Sequence, residues 1–114
     1  MTHPPDAQVQ PSTEVTFRVI PGAGDHVLGT YVEEHWLPVI GPTCYLLARH
    51  VATEGADGLD VTFTYGYFAA ALGVSPTKVC NAIRRLGRFG LIEHEADVIL
   101  VRDGWPAPPA RKVW

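Results

Sequence analysis

The sequence predicts an α+β domain: a three-helix core closed by a C-terminal β-hairpin and preceded by an additional strand. Three observations predict it. Residues 14–20 alternate polar and apolar, the period of a half-buried strand. Two apolar helical segments flank the turn sequence Leu72-Gly73-Val74-Ser75. Two short apolar runs near the C-terminus are separated only by Glu95-Ala96-Asp97, which reads as a tight hairpin.

At 114 residues and 12.4 kDa the chain has room for one core. With 46% apolar and 18% charged residues it is expected to fold over most of its length. Residues 1–13, polar and proline-bearing, read as a disordered leader; 14–102 as the folded domain; and 103–114, with Pro106, Pro108 and Pro109, as a proline-rich tail. Trp105 and Trp114 are the residues in that tail able to anchor it, on the body or on a partner.

In the first strand Val15, Phe17 and Val19 share one face, and Pro21-Gly22-Ala23-Gly24 ends it. Residues 26–36 are ambiguous: Leu28, Tyr31, Val32 and Trp36 suit a helix face, whereas Gly29 and the β-branched residues oppose one. Gly41-Pro42 reads as a helix start with proline at the first position. Cys44, Leu47, Ala48 and Val51 form that helix's buried stripe, while Leu46 faces the other way. Val61-Thr62-Phe63 is a short extended piece, and Thr64 caps a helix from Tyr65 to Leu72, ended by Gly73. Ser75 and Pro76 open a helix running to Phe89, and Gly90 suits the left-handed position after it. Leu91–His94 and Val98–Arg102 form the hairpin.

Phe68-Ala69-Ala70-Ala71-Leu72-Gly73-Val74-Ser75, the apolar positions Val79, Ile83 and Leu86, and then Gly90-Leu91-Ile92 together resemble the winged helix-turn-helix family over residues 61–102. The resemblance implies a three-helix core, a β-hairpin wing and DNA binding by the second helix of the motif. Trp36-Leu37-Pro38-Val39-Ile40-Gly41-Pro42-Thr43 more faintly resembles the start of the N-terminal winged-helix domain of bacterial replication-initiation and helicase-loader proteins, through Pro38, Ile40 and Gly41. In that family the extra N-terminal elements build oligomers. By that analogy residues 14–40 form a dimer surface; alternatively Phe17, Leu28, Tyr31 and Trp36 simply cap the core.

At about 100° per residue, Val79, Ala82, Ile83, Leu86 and Phe89 share one face of the 76–89 helix. Thr77, Asn81, Arg84 and Arg88 lie opposite, with Lys78 and Arg85 flanking them. No acid interrupts this stretch. An apolar back with a donor-rich front is what a helix in the major groove requires. Thr77 and Asn81 lie early, where base edges are reached. Arg84, Arg85 and Arg88 lie later, where phosphates are nearer. Ser75, Lys78 and Arg102 complete the set expected to contact duplex DNA. Glu93, Glu95 and Asp97 at the wing tip would repel phosphates, so the wing is expected to stand off.

The charge is uneven. Residues 1–72 carry two basic and eight acidic side chains, a balance of −6, and residues 73–114 carry seven and four, a balance of +3. A basic patch on an acidic body suits an anionic partner.

Other chemistry is not expected. The five histidines show no paired metal-ligand spacing, so neither a zinc site nor another cofactor is anticipated. Cys44 and Cys80 lie on or beside helix core faces and read as buried structural thiols in a reducing, cytoplasmic setting. Pro21-Gly22-Ala23-Gly24 has no lysine or serine after it and is no phosphate loop. The N-terminus has no basic or apolar stretch of a signal peptide, and no apolar run reaches the roughly 18 residues of a membrane span. The sequence thus predicts a non-enzymatic, sequence-specific duplex DNA-binding homodimer, a transcriptional regulator or a replication or partition factor. The alternative is a winged-helix protein-interaction adaptor whose acidic N-terminal half meets a basic partner.

Overall fold

The structure, a computed structural model, describes residues 9–109. It is an α+β domain with four helices and a mixed sheet. The strands are β1 (Glu14–Ile20), β2 (Asp25–His26), β3 (Val61–Thr64), β4 (Ile92–Glu95), β5 (Val98–Arg102) and β6 (Gly104–Trp105). The helices are α1 (Thr30–Ile40), α2 (Pro42–Glu54), α3 (Tyr65–Leu72) and α4 (Pro76–Arg88). The main sheet runs β3-β1-β5-β4, and β2 pairs with β6 apart from it. β1 is antiparallel to β3 and parallel to β5, with Phe17 opposite both Val61 and Ile99.

Alternation decides the two faces of the sheet. Val15, Phe17, Ile92, Ile99 and Val101 point to the helices and join one core with Val32, Trp36, Leu47, Val51, Phe68, Val79 and Leu86. The opposite face is polar. Arg18 binds Asp60 at 2.6 Å, Arg102 binds Glu93 at 2.9 Å, and the Thr16 and Thr62 hydroxyls lie 2.8 Å apart. Between these pairs Leu100, 8% exposed, stands outside the helix-side core. Arg18 and Glu93 are its register neighbours. The Arg18 guanidinium holds the Asp60 carboxyl below its ordinary range.

Of the ambiguous stretch 26–36, His26 belongs to β2 and the part from Thr30 on belongs to a helix, α1. Val32, Trp36 and Ile40, four apart, are its buried residues. Pro38 lies inside α1 and removes one backbone donor, but Pro38 and Glu34, whose carbonyl loses that partner, both face solvent. The caps read from sequence form: Thr64 Oγ1 accepts from Tyr67 N at 3.0 Å and Ser75 Oγ from Lys78 N at 3.2 Å. Gly73 (φ 70°) and Gly90 (φ 73°) take the left-handed turns. The hairpin loop is one residue tighter than expected. Glu95 pairs with Val98, and Ala96 takes φ 54°, a conformation disfavoured for a residue with a Cβ.

Two boundaries move. The ordered chain does not stop at Arg102. Gly104-Trp105 pairs with Asp25-His26, and Trp105 is fully buried, its ring edge-on to Trp36 at 5.6 Å. Trp105 Nε1 donates to the Arg102 carbonyl at 2.8 Å, and Trp36 Nε1 to that of Pro106 at 2.7 Å. The 21–24 turn is glycine-rich for a steric reason: a Cβ on Gly22 would overlap the Gly104 carbonyl, and one on Gly24 that of Trp105. At the other end, the leader expected through residue 13 is seated before that. The Pro11 and Thr13 carbonyls accept from Gly66 N and Tyr65 N at 2.9 and 3.0 Å, covering the start of α3. The remainder of that leader, residues 1–8, and Trp114 lie outside the described residues.

Candidate nucleic-acid interface

α4 follows α3 across the turn Gly73-Val74-Ser75, and its apolar face is set into the core. Val79 and Leu86 are fully buried, and Ala82 and Ile83 are 4% and 5% exposed. The outward residues Lys78, Asn81, Arg84, Arg85 and Arg88 are all exposed, and Thr77 is half-buried.

The structure divides this front more finely than periodicity does. Lys78, Asn81, Arg85 and Arg88 line an open groove of about 430 Å³ whose other wall is residues 40–44, the junction of α1 and α2. Arg84 is outside the groove lining, on the side of the Tyr65 phenol. Burial raises that phenol's pKa and Arg84 opposes the rise. Ser75 is spent as the cap of α4.

Arg102 is not brought to this site. It sits on the polar face of the sheet, paired with Glu93. Glu93, Glu95 and Asp97 are exposed on the hairpin, and Glu93 is held by that pair.

Charge pairing separates α4 from the rest of the protein. Among the described residues Arg18, Arg49 and Arg102 pair with Asp60, Glu33 and Glu93. Among the described residues Lys78, Arg84, Arg85 and Arg88 pair with no carboxylate. Arg85 instead donates to the Val39 carbonyl at 3.0 Å and lies 5.9 Å from the centre of the Phe89 ring. α4 therefore presents four cations without a carboxylate partner among the described residues, in a chain whose net charge is −3.

The far wall of the groove was not legible in the sequence. Gly41 (φ 88°) turns the chain sharply between α1 and α2. Cys44, buried at the start of α2, donates its thiol to the Ala82 carbonyl at 3.5 Å and fixes the two walls together. Burial pushes the Cys44 thiol pKa up, against the pull of Arg85 and Arg88. Cys80 is half-buried. Among the described residues no group of three or more His, Cys, Asp or Glu is placed to hold a metal ion, and no helix is long and apolar enough to cross a membrane.

The fold has a solved counterpart. It is similar to a crystal structure of primosome protein DnaB (residues 1–300) from Geobacillus stearothermophilus, with a TM-score of 0.58 and 19% sequence identity. The match covers 90% of this chain and 40% of that one, so this chain spans well under half of that structure. At this identity the likeness is one of fold. No protein-family profile and no curated protein sequence matches the chain.

Proposed function

We propose that the chain is a non-enzymatic winged helix-turn-helix protein that binds duplex DNA by placing α4 in the major groove. The observation that carries this reading is the acid-free outer face of α4, where Lys78, Arg84, Arg85 and Arg88 meet no carboxylate among the described residues. Asn81, exposed in the first half of α4, supplies a side chain able to pair bidentately with adenine. The likeness of fold to a primosome protein, beside the resemblance around Pro38, Ile40 and Gly41, supports a place in DNA replication over transcriptional regulation.

A homodimer is part of the proposal, since two α4 helices in successive grooves would raise both affinity and specificity. Phe17 and Trp36 are taken up by the core, so the surface for pairing is narrower than residues 14–40. Tyr31 and Leu46, 38% and 45% exposed, are the large apolar side chains left outside on α1 and α2.

Selection of bound sequences from random duplex DNA tests the reading. Enrichment of a two-fold symmetric site is expected, with binding that weakens steeply as salt rises. A pool without enrichment, together with no salt-dependent duplex binding, overturns it and moves the adaptor reading forward.

A further inference from the structure

We infer that the groove between α4 and the start of α2 is a phosphate-binding site, and that α2 is the half of it hidden from the sequence. One wall supplies Lys78, Asn81, Arg85 and Arg88; the other supplies Thr43 and Cys44, and among the described residues no acidic one lines the groove. The volume of about 430 Å³ is in the range of small-ligand sites.

The α2 wall owes its chemistry to Gly41. A φ of 88° suits glycine there, and glycine has no side chain with which to cap the helix. No side-chain hydrogen bond caps α2, and Pro42 occupies its first turn without an N–H of its own. The amides of Thr43 and Cys44 thus stand at an uncapped helix start, where the peptide dipoles favour a negative charge. α3 differs: Tyr65, Gly66 and Tyr67 already donate to Thr13, Pro11 and Thr64.

Lys78, Arg85 and Arg88, which among the described residues pair with no carboxylate, line the same groove as Thr43 and Cys44. A tetrahedral anion with several acceptor oxygens matches donors arriving from two walls, and arginine with lysine is the side-chain set that phosphate selects. The phosphate has two possible sources, a duplex backbone or a free phosphate compound. Only the first rests on the proposed DNA reading.

The test is amide NMR on the full chain, titrated separately with inorganic phosphate and with a short duplex, for the parent and for Thr43→Asp. The variant places a carboxylate where the phosphate would sit, while an acid in the first turn of α2 favours the helix. Expected are saturable shifts of the Thr43 and Cys44 amides with either source. In the variant the affinity should fall at least about tenfold, as like charges brought together require, with melting temperature unchanged or raised. Shifts with phosphate but no duplex binding would sustain the site and sink the DNA reading. Duplex binding that moves α4 amides, leaves Thr43 and Cys44 still, and is equal in the variant would overturn the site and leave the DNA reading standing. No shift of Thr43 or Cys44 with either ligand also overturns it.

Discussion

Arg85 reaches across from α4 to donate to the Val39 carbonyl at 3.0 Å, so it ties the proposed DNA-binding helix to the last turn of α1. Arg84 and Arg88 make no comparable bond among the described residues. The three arginines should therefore separate on mutation. Arg84→Ala and Arg88→Ala are expected to leave the melting temperature nearly unchanged. Arg85→Ala should cost about 0.5–1 kcal/mol, by loss of the exposed hydrogen bond and the contact with Phe89. In DNA binding, Arg84→Ala and Arg88→Ala should each flatten the salt dependence by about one unit. Asn81→Ala should instead erode discrimination between sequences by about 1–3 kcal/mol. Thermal melts and salt titrations on the selected site check both halves.

Arg102 should behave as a sheet residue. Its partner is Glu93, and the pair lies beside Leu100 on the face away from the helices. Arg102→Ala is expected to cost at most about 1 kcal/mol, as exposed pairs do, and to leave the salt dependence of duplex binding at the parental slope. A slope reduced as much as in Arg88→Ala would return Arg102 to the DNA-binding set.

Trp105 lies in a stretch that sequence assigns to a tail, yet it is fully buried against Trp36. Trp105→Ala should destabilise by about 3–5 kcal/mol, measured as a lower urea midpoint. A chain ending at Arg102 should lose at least as much. Parental stability of that truncated chain would show that the β2–β6 pair contributes nothing.

The two thiols should differ in reactivity. Cys44 is buried and its pKa is raised by that burial, so little thiolate forms near neutrality and access is closed. Cys80 is half-buried. A disulfide reagent is expected to modify Cys80 first and to reach Cys44 only as the protein unfolds; equal rates in the native state would contradict this placement.

Local chemistry made the α3–α4 turn and the hairpin legible, because Thr64, Gly73, Ser75 and Gly90 each specify a cap or a left-handed residue without help from distant parts of the chain. α1 was obscured by Gly29, which proves to be its N-cap, and by β-branched residues whose weak helix preference the packing of Val32, Trp36 and Ile40 overrides. β6 was obscured by its two-residue length, too short for any period. The face of α4 was legible by angle, but not its division into a groove side and an Arg84 side, which depends on where Gly41 aims α2. That Arg102 sits on the sheet, paired with Glu93 and apart from α4, was not legible, because strand alternation cannot reveal which partner an exposed arginine finds.

The parallel pairing of β1 with β5 has a consequence for the order of assembly during synthesis. β1 can zip to β3 once the chain has passed Thr64, but its other edge waits for β5, which begins about 80 residues after β1 ends. At about 5–20 residues per second, β1 lacks its second partner for roughly 4–16 s, and once β3 has paired it is an edge strand open to another chain. Closing the sheet then requires β5, with its hairpin partner β4, to join the free edge of β1. A nascent chain that stalls between Leu72 and Val98 would leave that edge of β1 free to pair with a neighbour on the same message.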